Sequence, residues 1–318
     1  DAELNRAIDW LGKEKIDRVI LTGDFHLATQ MVGADTADFY PAMTDETAAV
    51  AIASDWSRTA RRLHSDFAVS VGLVNGKRAL GGMLELLMHC HYLVAVDGAE
   101  FGMPEVTLPV VPGMEGCHWP FRRMARENWP RLLELLLDGR SVQASETVGW
   151  LADFVGGLDD TLQIAYTVAS GGAHGLTQRA HENGALDGVV EAVPELPPAA
   201  SPEMEAGRRA ILEAIRAATS TTLGEALDIQ ARHSGGFMTG DFHLATQMVG
   251  ADTVDFYPAM TDASAGEAVA AAWSRTARRF HDDFKVSVGL VNGKRALGGM
   301  LELLMHCHYM VAVDGADL

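Results

Sequence analysis

The segment "VNGKRALGGMLELLMHCHYLVAVDGAEFGMPEV" (residues 74–106) carries the pattern from which we predict the fold. Its glycine pair opens an apolar stretch with helical spacing that starts at Gly81. Glycines at a helix start leave backbone N–H groups uncovered at the positive end of the helix dipole, where they stabilise an oxygen that gains negative charge. Glu85 lies three residues after Gly82, so helical spacing places its carboxylate on the same face. The segment therefore predicts half of an oxyanion hole beside a carboxylate.

A second carboxylate decides between two interpretations of this helix. Alone, the pattern is equally well explained by a glycine-opened helix with an incidental glutamate. Glu105 lies 20 residues beyond Glu85, just after a β-rich run, where Pro104 stiffens the backbone. Two carboxylates near one set of N–H donors favour acid–base chemistry, so we take Glu85 and Glu105 as candidate catalytic residues.

Composition and charge exclude several classes of function. The chain has 318 residues, of which 48% are apolar, and this suits a soluble globular protein. A formal net charge of −18 argues against nucleic-acid or membrane-surface binding, because neutralising phosphates needs clustered Lys and Arg. The three cysteines give no disulfide framework and predict a reducing compartment, the cytoplasm. No apolar run reaches the roughly 18 residues that a membrane span needs.

The order of predicted elements indicates an α/β core followed by helices. A helix over about 2–13 and β-rich runs at 17–23, 67–76 and 92–98 belong to a core of about 1–125. A helical region of about 126–238 follows, with apolar helical spacing at 129–139, 144–152 and 158–170. A Pro-rich connector at about 193–202 leads to a helix over about 202–218, capped by Ser201, and to another over about 222–233. Strands alternate with helices first and helices alone follow, which is typical of this fold class.

Three stretches resemble the crotonase family, also called the enoyl-CoA hydratase/isomerase superfamily. They are "VGADTADF" (32–39), the run from "VNGKRALGG" to "VTLPVVPG" (74–113) and "LLLDGRSVQASETVGWLADFV" (135–155), and the resemblance covers about residues 1–238. It implies a crotonase-like spiral of ββα units, followed by helices that mediate assembly into a trimer or dimer of trimers. It also implies an acyl-CoA substrate, with coenzyme A as part of the substrate and no separate cofactor.

The resemblance assigns roles by position. It implies that the backbone N–H groups of Ala34 and Gly82 form the oxyanion hole for the thioester carbonyl. It places Glu85 and Glu105 on the two catalytic glutamates of the hydratase members. Hydration of a 2-enoyl-CoA is the leading function. The alternatives are enoyl-CoA isomerisation, acyl-CoA hydrolysis by the same oxyanion hole, and a non-catalytic CoA-binding chain.

Several residues depart from the family pattern and leave the substrate unnamed. Met83 stands where hydratases often have a third glycine, and Glu115 occupies a position usually given to glycine. With Trp119, these residues are candidates for a substrate pocket. For Glu115 a surface or salt-bridged role is favoured over a third substrate carboxylate, and for Trp119 core and pocket lining are both open.

Other charged and metal-binding residue types give weaker signals. His89 and His91 are two residues apart at a helix end and do not face one another, so we predict no metal site. Three arginines at helical spacing could meet CoA phosphates, but a solvated helix face is favoured: Arg58, Arg61 and Arg62. The sequence has neither a GxGxxG after a strand nor a P-loop, so no nucleotide-binding domain of those types is indicated.

An internal repeat follows the helical region. Residues 239–318 repeat residues 22–101 with an offset of 217, and 14 of the 80 aligned positions differ. A solenoid repeats every 20–50 residues, so this period is that of a domain. We expect a truncated second copy of the core, without a strand equivalent to 17–23 and without a counterpart of Glu105. Its equivalents of the site residues are Ala251, Gly299 and Glu302.

Overall fold

The computed structural model describes residues 2–23, 30–32, 42, 45–107, 110–239, 247–248, 263–291, 295–296 and 298–312. The chain divides into two compact units, residues 1–242 and 243–318. Each unit has strands and helices of its own.

Two four-stranded sheets form the first unit. Its strands are β1 (Arg18–Thr22), β2 (Gln30–Val32), β3 (Val69–Val74), β4 (Arg78–Leu80), β5 (Tyr92–Val96), β6 (Glu100–Gly102), β7 (Ser141–Gln143) and β8 (Phe154–Gly156). One sheet has the order β1-β3-β5-β8 and is parallel throughout. The other has the order β2-β4-β6-β7, with β7 antiparallel to β6. From β1 to β6 the chain thus gives one strand to each sheet in turn, as in the predicted spiral, and β7 then joins the same sheet as β6.

Helices alternate with the strands and then follow them alone. They are α1 (Ala2–Lys13), α2 (Glu46–Ser65), α3 (Gly82–Met88), α4 (Trp129–Asp138), α5 (Leu158–Ala169), α6 (Pro202–Thr219) and α7 (Leu223–Met238). The Ser201 hydroxyl accepts a hydrogen bond from the Met204 N–H, and Pro202 occupies the first turn of α6. The predicted α/β core with a helical C-terminal region is confirmed, and α7 extends five residues beyond its predicted end.

The helix predicted over 144–152 is wrong. A 3-10 helix covers Ala144–Thr147, and the chain then turns at Gly149, which has a φ of 88°. The N–H groups of Leu151 and Ala152 both donate to the Thr147 carbonyl, which closes the turn. The apolar spacing arises because the turn buries Trp150 and Leu151 in the core, without any helical continuation.

The main hydrophobic core surrounds α3. Leu84 and Leu87 of this helix are fully buried in a cluster that includes Phe101 of β6, Leu132 of α4 and Ile211 of α6. Burying a leucine side chain contributes roughly 1.5–3 kcal/mol. The short α3 is therefore held in place by packing from both the sheet and the helical region.

The second unit repeats two of these strand pairings. Its elements are β9 (Gln247–Met248), α8 (Ala263–Asp282), β10 (Val288–Val291), β11 (Arg295–Ala296), α9 (Gly298–Met305) and β12 (Tyr309–Ala312). β10 pairs with β12 and β9 with β11, both parallel, in the registers of β3 with β5 and β2 with β4. In the first unit α5 covers the face with Val71 and Tyr92, whereas Val288 and Tyr309 are exposed.

No helix within the described part of the chain has the length and apolar character required to cross a membrane.

Helices α2 and α7 approach each other closely at Gly235 of α7. A Cβ atom there would lie 2.5 Å from Val50 Cγ2 and 2.6 Å from the Val50 backbone nitrogen in α2. Backbone cannot move aside as a flexible side chain can, so only glycine fits. At the adjacent Gly236, the nearest atom to such a Cβ would be Glu46 Oε1, at 3.5 Å.

We predict that Gly235→Ala lowers the free energy of unfolding by about 1–3 kcal/mol through overpacking. Gly236→Ala is the matched control and should leave stability equal or slightly higher, because alanine favours helix over glycine. Thermal and urea unfolding of both variants measures the difference. Equal effects of the two substitutions would contradict this packing.

Candidate active site

Gly81 brings the start of α3 against the end of β6. Its φ of 55° lies in the left-handed region that favours glycine, and its N–H donates to the Gly102 carbonyl at 2.9 Å. A Cβ atom on Gly81 would lie 2.8 Å from Glu105 Oε1. Glycine is therefore required here both by the backbone and by the adjacent carboxylate.

Gly82 is the first residue of α3, where the helix itself provides no acceptor for the N–H. This position agrees with the donor predicted from the sequence. The second predicted donor, Ala34, lies outside the described residues.

Glu85 is buried inside a turn formed by residues 113–116. Its carboxylate accepts hydrogen bonds from the N–H groups of Gly113 at 3.2 Å, Met114 at 2.9 Å and Gly116 at 2.6 Å. A Cβ atom on Gly116 would lie 2.8 Å from Glu85 Oε2. The turn thus wraps the carboxylate closely and fixes its position.

Glu105 lies in the 3-10 helix Pro104–Thr107 that follows β6, and it is also buried. Its Oε2 atom has no hydrogen-bond partner among the described residues. The two candidate glutamates therefore differ: Glu85 is held by backbone donors, whereas Glu105 keeps an acceptor atom that can bind a further polar group.

The two carboxyl groups influence each other's titration. Burial raises the pKa of Glu85 to about 7, against the opposing effect of the three N–H donors, and the charge of Glu115 adds to the rise. Burial and then the charge of Glu85 raise the pKa of Glu105 to about 8. Coupled carboxyl groups of this kind share protons near neutral pH, which suits general acid–base chemistry.

Glu115 and Trp119 are both buried in the interior. Glu115 is completely buried and forms an ion pair with Arg61. Trp119 stacks on His89 with ring centroids 4.2 Å apart, and its indole N–H donates to the Met88 carbonyl. The salt-bridged alternative for Glu115 is therefore the observed one. Met83 is partly buried and packs against two core clusters.

Arg61 also differs from the expected solvated helix face. Its guanidinium donates to both Glu115 oxygens and to the Leu223 carbonyl. The other two arginines agree better with a solvated helix face. Arg58 is exposed and pairs with Asp55, and Arg62 pairs with Asp9 and Asp66.

The two histidines at the end of α3 have separate partners. His91 Nδ1 accepts from the Ser70 N–H at 3.0 Å, whereas His89 Nε2 lies 3.1 Å from Glu115 Oε2. Across the ranges that the structure describes, no three His, Cys, Asp or Glu side chains are grouped to hold a metal ion.

The repeat places its equivalent residues differently. Glu302 lies in α9 and is exposed, whereas its counterpart Glu85 is buried. Gly299 is the second residue of α9, and Ala251 lies outside the described residues.

Sequence reasoning missed the turn at residues 113–116 and the partner of Glu115. The glycines of "PGMEG" (112–116) signal a tight turn, but not that its N–H groups bind Glu85. Arg61 and Glu115 are 54 residues apart, and no local pattern connects them.

The spiral with a glycine-opened helix between two sheets defines the crotonase-like class of α/β folds. A carnitinyl-CoA dehydratase from Mycobacterium thermoresistibile has a similar structure, with a TM-score of 0.54, 16% identity and coverage of 82% of this chain and 81% of that chain. A probable enoyl-CoA hydratase of Mycobacterium bovis is 35% identical over 131 residues, 41% of this chain and 47% of the relative. A probable enoyl-CoA hydratase of Rhizobium meliloti is 41% identical over 68 residues, which are 21% of this chain and 25% of the relative.

Parts of the chain are thus similar in sequence to probable enoyl-CoA hydratases, and its fold is crotonase-like. The chain spans about half the length, or less, of these curated relatives. No protein-family model matches the sequence.

The raised pKa values predict a pH dependence of stability. A carboxyl group whose pKa is higher in the folded than in the unfolded chain stabilises the fold fully below its unfolded pKa of about 4.3. This contribution is lost as the pH rises through the folded pKa, about 8 for Glu105. The free energy of unfolding of Glu105→Gln should therefore fall less between pH 5 and 8 than that of the wild type.

Urea unfolding at pH 5, 6.5 and 8 measures this difference. Glu302→Gln is the control, since this carboxylate is exposed, and it should follow the wild-type pH dependence. An unchanged pH dependence in Glu105→Gln would refute the raised pKa.

Proposed function

We propose that this chain is an acyl-CoA enzyme that adds water across the 2,3-double bond of a 2-enoyl-CoA. The observation that carries the proposal is the pair of buried, coupled carboxyl groups, Glu85 and Glu105, at the start of a glycine-opened helix. The names of its relatives, probable enoyl-CoA hydratases, support the same reaction.

The oxyanion hole addresses the first requirement of this chemistry. Addition of water to a double bond conjugated with a thioester builds negative charge on the thioester oxygen as an enolate. In the proposed site the N–H groups of Gly82 and Ala34 donate to that oxygen. By analogy with other oxyanion holes, one such donor contributes about 3–4 kcal/mol to transition-state stabilisation.

The two glutamates address the second requirement, the movement of two protons. One carboxylate accepts a proton from the attacking water, and the other carboxyl group, protonated, delivers a proton to the substrate Cα. Elevated pKa values keep protonated and ionised forms together near neutral pH, as this division of labour needs. The free acceptor atom Glu105 Oε2 gives the water a binding position.

The proposed active domain is residues 1–238, and residues 239–318 are proposed to be a truncated copy of the core without a second active site. The exposed carboxylate of Glu302 supports this division, because it lacks the burial that raises the pKa of Glu85. Assembly into a trimer or a dimer of trimers and a cytoplasmic location stay predictions.

We predict that Glu85→Gln and Glu105→Gln each lower kcat for hydration by about 10²–10⁴-fold, because each removes one proton-transfer group. Their effects should be strongly non-additive, since one water contacts both groups. Glu302→Gln, the matched control in the repeat, should keep wild-type turnover. Consumption of 2-enoyl-CoA substrates of several chain lengths, with products identified by mass spectrometry, measures these effects.

The products also distinguish hydration from its alternatives. An isomerised enoyl-CoA or free CoA in place of the 3-hydroxyacyl thioester would overturn the hydratase assignment. Binding of CoA without any product would instead indicate a binding module. Equal losses in Glu302→Gln and Glu105→Gln would show that the repeat contributes to a working site.

A second prediction concerns the Gly82 donor. Gly82→Pro deletes its N–H, and proline is tolerated in the first turn of a helix. Turnover should fall by about 10²–10³-fold, while the affinity for CoA changes little. Gly299→Pro provides the equivalent substitution in the repeat and should leave turnover intact. Wild-type turnover by a folded Gly82→Pro chain would refute the role of this donor.

A further inference from the structure

Glu115 has a backbone conformation that normally requires glycine. Its φ is 70°, and Glu115 and Lys15 are the residues other than glycine with positive φ in the described part of the chain. A left-handed conformation is unfavourable for a residue with a side chain, because it brings the Cβ atom too close to the following carbonyl oxygen. The Glu115 side chain is completely buried, so its contacts must hold the backbone in this conformation.

Three cationic or ring nitrogen groups surround the Glu115 carboxylate. Arg61 Nε lies 2.8 Å from Oε2 and Arg61 Nη2 lies 2.5 Å from Oε1. His118 Nε2 lies 2.9 Å from Oε1, and His89 Nε2 lies 3.1 Å from Oε2. Burial alone would raise the pKa of Glu115, but its contacts with His118, His89 and Arg61 hold the pKa well below the ordinary value. The carboxylate is therefore ionised at neutral pH.

This ion-pair network is directly connected to Glu85 through the backbone. Glu115 lies inside the turn whose neighbouring N–H groups, those of Met114 and Gly116, donate to the Glu85 carboxylate. In addition, His89 Nδ1 lies 2.9 Å from the backbone oxygen of Glu85. The network thus contacts both the turn that binds Glu85 and the helix that carries it.

We propose that Glu115, anchored by Arg61, is a positioning residue that holds the 113–116 turn around the carboxylate of Glu85. The inference rests on the proposed function only for its effect on turnover. The geometry that it explains does not depend on that function: the ionised Glu115 has a positive φ and lies beside the buried Glu85.

The charge of Glu115 has a second effect on Glu85. The titratable groups that face Glu85 are Glu105 from the 3-10 helix after β6, Glu115 from the turn, and Cys117 directly after the turn. The negative charge of Glu115 favours the protonated form of Glu85. Removing this charge alone would lower the pKa of Glu85, whereas loosening the turn would withdraw the N–H donors and raise it, and the donors have the larger effect.

The test compares Glu115→Gln with Glu134→Gln in the full chain. Glu134 forms an exposed ion pair with Arg140, so its substitution removes the same charge without affecting the turn. The carboxyl ¹³C signal of Glu85 is followed by NMR from pH 4 to 9 in chains with labelled glutamate, and Glu85→Gln assigns the signal. Hydration of the 2-enoyl-CoA panel is measured over the same pH range.

In Glu115→Gln we expect the Glu85 titration to move up by about one pH unit, because loss of the N–H donors outweighs loss of the Glu115 charge, and kcat to fall about tenfold or more with little change in KM. Glu134→Gln should match the wild type in both measurements. Glu115→Gly is the second variant, because glycine adopts a φ of 70° without strain and so removes the anchor without adding backbone strain. It should show the same upward shift, and a downward shift in both variants would overturn the inference.

The NMR result separates this inference from the proposed function. A wild-type chain that hydrates no 2-enoyl-CoA would refute the function, whereas the Glu85 titration would still test the positioning. A Glu85 signal that titrates in the ordinary range in the wild type would overturn the inference. So would an unchanged Glu85 titration in both Glu115 variants.

Discussion

The burial of the Glu85 carboxylate within three backbone N–H groups is the contact on which the site depends. Those donors belong to the turn at residues 113–116, while Glu85 belongs to α3, so the contact joins two separate parts of the spiral. It also imposes glycine at Gly116, and the neighbouring carboxylate imposes glycine at Gly81. The glycines of the motif are thus required by the close approach of acidic side chains as well as by backbone conformation.

A buried carboxylate with three donors could simply remain ionised. Burial raises the pKa of Glu85 here because desolvation outweighs the donors, and the charge of Glu115 acts in the same direction. The charge of Glu85 likewise adds to the effect of burial on Glu105. The surrounding charges are therefore arranged so that a proton is retained near neutral pH. This is the property that separates a candidate acid–base pair from a structural ion pair such as Glu115 with Arg61.

The sequence predicted much of this arrangement, and what it missed has a physical reason. Gly82, Glu85 and Glu105 were found because they lie on one helix start and one strand end, where spacing fixes position. The helix over 144–152 failed because buried side chains in a turn at Gly149 reproduce helical spacing. The contact between Arg61 and Glu115 failed because it depends on how α2 packs, which no local pattern encodes.

The exposed face of the second unit has a consequence for how the chain refolds. Residues 286–291 are identical to residues 69–74, and β12 differs from the start of β5 only at Met310. In the native first unit α5 packs on β3 and β5, while Val288 and Val311 of the copy stay exposed. The chain thus contains two nearly identical strand pairs and one α5. During synthesis the N-terminal pair is available first, but a denatured full-length chain offers both at once. We therefore expect refolding from denaturant to populate a misfolded form in which α5 packs on β10 and β12, and synthesis from the N-terminus to avoid it.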